Sequence, residues 1–497
     1  MEVFGQIYLG FSVALQPVNL MLALLGAILG TLVGVLPGLG PTAAMSLLLP
    51  ATFGISPVGS MIMLAGIYYG AQYGGSTTSI LVNIPGEAAS VVTCLDGYQM
   101  ALQGRAGAAL GISAFGSFIA GTLALLGLTF LAPVLVDAAL TFGPPEYFTL
   151  MCLGIIILTF LSHGSMLKAL IMGILGLFVG TIGIDSITGI QRFTFERPEL
   201  MEGIGLVQIA MGMFGITEIL ANIEGSVEVN VFKTKLKGLF PTRQDWKKSI
   251  GAILRGTGIG FFLGILPGGG AVISSFAAYA IEKRFSKYPD KFGTGVIEGV
   301  AAPEAANNAA AQGAFIPMVT LGIPSNIVMA LLLAALMIHG ITPGPLLMEK
   351  HPDLFWGFIT SMYIGNVMLL VLNLPLIPLW VKFLRVPYAI LFPFIFLFCL
   401  VGVYTINNNV FDIYLMIGFG IFGYLARKFA YEPAPFVLAV VLGPMMEKAL
   451  RQSLIMSKGD FAIFFSRPIS GVILGVAIFL LVFPLVLQGV KIYKRGR

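Results

Sequence analysis

Long apolar stretches run through the chain at 108–135, 147–180, 356–383, 386–405, 411–426 and 469–490. A bilayer core about 30 Å thick is crossed by about 20 apolar residues in a helix. Within lipid, only helices and closed barrels satisfy every backbone polar group. The 497 residues are 57% hydrophobic and 10% charged, whereas a soluble domain carries roughly 25% charged residues. A water-facing surface for so long a chain cannot be assembled from that supply. Disorder and collagen fail on the apolar fraction, and a disulfide scaffold fails on three cysteines, Cys94, Cys152 and Cys399. The expected class is therefore an all-α polytopic membrane protein. The net charge of +5 does not point to nucleic acid, because the basic residues sit in short loops, as they do beside membrane spans.

The first basic residue is Arg105. The positive start of a secretory signal is thus missing, and the N-terminal segment is expected to remain as the first membrane element.

Gly and Pro fall inside apolar segments, and there they repeat. Residues 26–40, GAILGTLVGVLPGLG, align without gaps on 256–270, GTGIGFFLGILPGGG, with seven of fifteen positions identical. The shared Leu36–Pro37–Gly38 and Gly40 match Leu266–Pro267–Gly268 and Gly270. A second match, shifted by 239, pairs Gly74 with Gly313, Ile84 with Ile323 and Pro85 with Pro324. A duplicated unit follows: residues 1–230, a basic linker 231–250 and residues 251–497.

Charge orients the two copies. Lys233, Lys235, Lys237, Arg243, Lys247, Lys248 and Arg255 precede the second copy, whereas only Glu2 precedes the first. By the positive-inside rule the same helix starts inside in one copy and outside in the other, which is an inverted-topology repeat. In the second copy, basic residues flank both ends of 251–283, so this segment is read as a re-entrant hairpin turning at Leu266, Pro267, Gly268 and Gly270. Residues 20–53 are its counterpart, turning at Leu36, Pro37, Gly38 and Gly40. Pro blocks helix continuation and Gly permits the turn.

A broken helix is expected behind each hairpin, over about 60–100 and 297–340. The interruptions are placed at Gly70–Thr78 and Asn83–Glu87 in the first copy, and at Pro303–Glu304, Asn307–Asn308, Gln312–Gly313 and Gly322–Asn326 in the second. The remaining apolar stretches read as scaffold helices, and the tail Lys491, Lys494, Arg495 and Arg497 as cytoplasmic.

LPGLGP and LPGGG, YYGAQYGGSTTSILVNIPGE (68–87), GVAAPEAANNAAAQGAFIPMVTLGIPSN (299–326) and DSITGIQRFTF (185–195) together resemble the TctA family. This is the large membrane subunit of bacterial tripartite tricarboxylate transporters. The resemblance implies a cation-driven importer of di- or tricarboxylates in the inner membrane, with Na+ or alternatively H+ as coupling ion and no other cofactor. It implies a small TctB-like membrane subunit and a periplasmic TctC-like solute-binding protein as partners, with a homodimer as a further assembly. By analogy it implies an elevator-like movement.

Paired interruptions in inverted halves point to a transporter's binding site. Helix N-termini hold a carboxylate without arginine, so Thr42, Ser76, Thr77, Thr78, Ser274, Ser275, Ser325 and Asn326 are the candidate anion contacts. Carbonyl, Ser, Thr and Asn oxygens suit sodium, and Gly38, Asn83, Asn307, Asn308, Gly268 and Gly322 are the candidate cation contacts. Glu87 and Glu304, as intramembrane carboxylates, are candidates for coupling. Asp96, Asp137, Glu146 and Asp185 read as helix caps or loop ends. His163, His339 and His351 show no metal-site spacing. A channel and an intramembrane enzyme are the competing classes. The dead-ended hairpins disfavour a channel, and no zinc motif or nucleophile elbow supports an enzyme.

Overall fold

The computed structural model describes residues 2–36, 40–161, 165–185, 187–224, 238–383 and 388–495. The expected contributions of Pro37, Gly38, His163, Lys233, Lys235, Lys237 and Arg497 lie outside the described residues, as do the side chains of the 491–495 tail.

The first half is helical throughout except for a short ribbon. Its helices are α1 (Glu2–Ala14), α2 (Pro17–Val35), α3 (Gly40–Leu48), α4 (Pro57–Val82), α5 (Val91–Leu102), α6 (Ala106–Ala139), α7 (Pro144–Leu161) and α8 (Met166–Gly180). The antiparallel ribbon pairs β1 (Gly183–Ile184) with β2 (Gln191–Arg192). Then α9 (Leu206–Ala210), a π-helical turn (Met211–Ile216) and α10 (Thr217–Glu224) form one continuous rod. The second half contains α11 (Arg243–Ile265), α12 (Gly270–Phe285), α13 (Glu298–Gly313), α14 (Phe315–Leu321), α15 (Ile327–Ile338), α16 (Leu346–Lys350), α17 (Pro352–Leu372) and α18 (Ile377–Phe383). It closes with α19 (Tyr388–Asn407), α20 (Val410–Lys428), α21 (Pro433–Met456), α22 (Ile463–Ser466) and α23 (Pro468–Arg495). Among the described residues, six helical stretches are long and apolar enough to cross a membrane. Three of these, Pro17–Val35, Leu206–Glu224 and Pro433–Met456, are absent from the apolar stretches picked out by sequence, the first having been read as a hairpin arm.

Glycine stripes set the closest packing. A Cβ on Gly26, Gly30 or Gly34 of α2 would stand 2.3, 2.4 or 2.2 Å from the carbonyl oxygens of Met63, Ile67 and Ala71 on α4. Gly256, Gly260 and Gly264 of α11 meet the carbonyls of Ala302, Ala306 and Ala310 on α13 at 2.3, 2.2 and 2.3 Å. Side-chain-free positions let backbones touch, which is how small-residue stripes hold membrane helices together. The glycines repeat at a spacing of 230 and their partners at 239, the two offsets of the sequence matches. The two helix pairs, α2 on α4 and α11 on α13, therefore pack in one register.

The expected hairpin 251–283 is α11 and α12, antiparallel and joined by the bidentate pair Arg255–Glu282 at 2.6 and 2.8 Å. Residues 20–53 contain most of α2 and all of the shorter α3. Two expectations are corrected. The polar runs Gly70–Thr78, Pro303–Glu304 and Asn307–Asn308 are not interruptions: α4 and α13 run through them unbroken. Gly70 and Gly74 serve close contact with α2, and the hydroxyls bond to carbonyls or buried carboxylates. Gln312–Gly313 falls at the end of α13, with Ala314 between it and α14, and Asn83–Glu87 and Gly322–Asn326 leave the helix. The stretch 147–180 divides into α7 and α8, with extended backbone at Ser165. The stretch 356–383 ends α17 at Leu372, and Pro375 separates it from α18.

The copies also meet through Asp96 on α5. Its buried carboxylate accepts the backbone N–H groups of Gly293, Gly295 and Val296 and the Tyr279 hydroxyl, all at 2.8–3.0 Å. Asp96 is thus a connector between broken helix one and the loop after hairpin two. Asp185 and Glu146 do lie at loop and helix ends, where Asp185 pairs with Arg451 and Glu146 with Arg467.

Candidate functional site

Both breaks are built alike. Asn83 ends α4 in the left-handed conformation (φ 60°), and Gly322 ends α14 in the same way (φ 71°). An Ile–Pro pair follows each. Four positions beyond each of these residues, a side chain caps the next helical turn: Glu87 Oε2 accepts from Ala89 N (3.1 Å), and Asn326 Oδ1 accepts from Met329 N (3.0 Å). The hairpin tips also agree. Leu36 and Leu266 cap their arms in extended backbone, and Gly40 and Gly270 start the return helices at φ 56° and 42°. Gly268 (φ 77°) donates its N–H to Ser325 O at 2.9 Å, tying tip to break within the second copy.

A cavity of about 860 Å³ collects these parts. Its wall includes Gly40–Ala43 at the start of α3, Pro85–Ala88 at the first break, Gly268–Ile273 at the start of α12 and Asn326–Val328 at the start of α15. Helix starts from both copies thus face one space. Each presents the positive end of a helix dipole, which favours an anion. The rest of the wall includes Met213, Phe214, Thr217 and Glu218 of the α9–α10 rod, with Gly423 and Arg427 of α20 and Ala430–Ala434. Arg427 is the single Lys or Arg in the wall among the described residues, and it pairs with Glu218 at 2.7 Å.

Of the candidate anion contacts, Thr42 and Asn326 line the cavity. The other six are buried beside it or deeper. Ser76 donates to Glu304, Thr78 to Val35 O, Ser274 to Gly270 O and Ser325 to Ala314 O. Ser275 donates to Ala271 O and Pro303 O, and Thr77 is buried on α4. Of the candidate cation contacts, Gly268 lines the cavity, Asn83 is exposed and Gly322 sits at its helix end. Asn308 donates to Ser117 and to Glu304 O, and Asn307 donates to Glu87 Oε1 at 2.9 Å.

The two carboxylates differ in setting. Glu304 is fully buried within hydroxyls from three helices, accepting from Ser76, Thr93 and Ser113. Glu87 lines the cavity, beside Asn307 and the Gln72 amide. Sequence reasoning did not single out Gln72, Tyr68, Glu218 or Arg427 as site residues. Gln72 and Tyr68 lie in a quoted motif, whereas Glu218 and Arg427 sit at helix ends with no pattern to mark them. Among the described residues no group of three or more His, Cys, Asp or Glu gathers as a metal site. His339 contacts the Ser60 hydroxyl and His351 precedes α17.

No solved structure gives a significant match to the chain. An "Uncharacterized 52.8 kDa protein in TAR-I ttuC' 3'region" of Agrobacterium vitis is 52% identical over 478 residues, covering 96% of this chain and 95% of that protein. An "Uncharacterized protein in TAR-II ttuC' 3'region" of the same organism is 54% identical over 219 residues, covering 44% of this chain and 90% of that protein. Residues 20–438 match the model of the Tripartite tricarboxylate transporter TctA family, and the chain belongs to that family as a multi-pass membrane component of a transporter.

Proposed function

We propose that the chain is the large subunit of a cation-coupled secondary transporter that imports di- or tricarboxylates. The observation that carries this reading is the single cavity walled by helix starts of two similarly built hairpin-and-break units. A solute with several carboxylates finds helix starts and Arg427 lining the same cavity. The shared glycine register supports duplication, and the charge asymmetry around the two hairpins supports their inverted orientation. In this reading the N-terminus lies outside the bacterial inner membrane and the C-terminus in the cytoplasm. The hairpins and broken helices form the moving part of an elevator, the other helices its scaffold. A periplasmic binding protein delivers the solute and a small membrane subunit completes the assembly.

The test is uptake of radiolabelled succinate and citrate into proteoliposomes holding the chain and its two partner subunits. Na+ and pH gradients are imposed separately. Accumulation above the external concentration, driven by one of the two gradients, is the expected result. Flux that only equilibrates the solute, whatever the gradient, would establish a channel instead.

A further inference from the structure

We infer that Gln72, Glu87 and Asn307 form a binding site for one sodium ion in the wall of the solute cavity. The use of this site in coupling rests on the transporter reading, whereas its existence rests on the oxygen cluster itself. Gln72 and Asn307 come from α4 and α13, and Glu87 from the first break, so the site joins the two copies.

All three side chains are more than nine-tenths buried. One terminal atom of the Gln72 amide stands 2.8 and 3.1 Å from the two Glu87 oxygens and 2.8 Å from Asn307 Oδ1. With nitrogen in that place, Gln72 donates to these oxygens and the cluster is closed by hydrogen bonds. With oxygen there, four oxygens stand together with only the Asn307 Nδ2 group between them, 3.2 Å from Gln72 and 2.9 Å from Glu87 Oε1, an arrangement that a bound cation relieves. Hard cations hold oxygens at roughly 2.3–2.6 Å, which sets neighbouring ligands about 3 Å apart. A half-turn of the Gln72 amide therefore converts a hydrogen-bonded cluster into a coordinating one.

Charge fixes the valence. Glu87 takes part in no ion pair among the described residues. A buried carboxylate without a counter-charge is costly, and one proton or one monovalent cation neutralises it. Amide and carboxylate oxygens suit a hard ion rather than a thiophilic or imidazole-seeking metal. Gly75 makes room for the Glu87 side chain itself, because a Cβ there would lie 2.7 Å from Glu87 Cγ. Access comes from the cavity, which Gln72 and Glu87 both line. Glu87 also caps Ala89 N at the first break, so an ion held there fixes the helix start offered to the solute. Glu304, by contrast, is already satisfied by three hydroxyls and does not line the cavity.

The experiment is equilibrium binding of ²²Na+ to the purified chain in detergent, with no solute and no partner subunit. Saturable binding of one ion per chain is expected, competed by unlabelled Na+ and indifferent to choline. Glu87→Gln and Gln72→Ala should each weaken it by roughly tenfold or more, the effect of losing a charged or polar ligand. Size-exclusion profiles identify folded variants, and if Glu87→Gln does not fold, Gln72→Ala carries the test. The site is overturned if the wild-type chain shows no saturable binding, or if a folded variant of either residue binds as tightly as wild type. Intact ²²Na+ binding beside absent carboxylate uptake upholds the site and counts against the transporter reading alone.

Discussion

Arg427 and Glu218 face each other at 2.7 Å across the wall of the solute cavity, with the arginine side chain 57% exposed and the glutamate 14%. An exposed pair of this kind stabilises the fold by roughly 0–1 kcal/mol. In the proposed function its place in the wall gives it another use, because a carboxylate solute would compete with Glu218 for the guanidinium. Arg427→Gln should leave the unfolding transition nearly where it was and raise the KM for carboxylate uptake. An unchanged KM would separate Arg427 from solute recognition.

The left-handed end of α4 at Asn83 makes a different demand. Asn adopts that conformation at little cost, whereas other L-residues pay roughly 1–2 kcal/mol. Asn83→Val should lose about that much stability in unfolding of the detergent-purified chain, and Asn83→Gly should lose little. Equal losses would mean that the Asn83 side chain, not its backbone, is what matters.

Gly268 combines a φ of 77° with a tight environment, since a Cβ there would lie 2.9 Å from Leu158 Cα. Gly268→Val should abolish uptake while the protein still inserts and extracts as wild type does. Normal uptake would remove the hairpin tip from the mechanism.

The Arg255–Glu282 pair holds the two arms of the second hairpin side by side. Cysteines at the exposed positions Lys248 and Pro289 should both react with a membrane-impermeant label from the cytoplasmic face only. Labelling from opposite faces would mean that α11 and α12 cross the bilayer separately.

Asp185, in the loop between β1 and β2, titrates well below the usual carboxylate range. The backbone N–H of Ile187 is the largest cause, opposed by partial desolvation and reinforced by Thr188 N–H and Arg451. Its folded value is depressed, so its contribution is complete above the unfolded value of about 3.9. It is lost as pH falls through the lower folded value. Asp185→Asn should therefore be less stable than wild type at neutral pH, with the gap closing only below about pH 4. Limited proteolysis of the 183–197 loop against pH reads this directly, and a gap that closes between pH 7 and 5 would show another group to be responsible.

The sequence disclosed what glycine and proline disclose. Gly26, Gly30 and Gly34 and their second-copy counterparts mark both the duplication and its packing, because a missing side chain leaves few uses other than close approach. Leu266–Pro267–Gly268 marks a tip because proline ends the incoming helix. Polar residues were harder to assign. Ser274 and Ser275 look like ligands in the sequence, yet their hydroxyls turn back onto carbonyls one helical turn earlier, as such residues do in membrane helices. Gln72 was overlooked because its partners Glu87 and Asn307 reach it only through the tertiary fold. Asn307 is a further 220 positions beyond Glu87. Arg427 was overlooked because an arginine at the end of an apolar helix reads as an interfacial anchor. The spans at 206–224 and 433–456 were passed over because polar residues (Gln208, Glu218, Asn222) dilute the first, and prolines with Glu447, Lys448 and Arg451 the second.

The glycine seams also determine where this molecule can bend. Two helices whose backbones touch at three successive turns cannot slide without a carbonyl striking an α-carbon, so α2 with α4, and α11 with α13, travel as rigid plates. In the proposed transporter reading, displacement that exposes the chamber to alternate faces falls outside these seams, at the boundary with α10, α20 and the residues around Tyr431 that completes the cavity wall, which makes that boundary a place for an inhibitor to wedge.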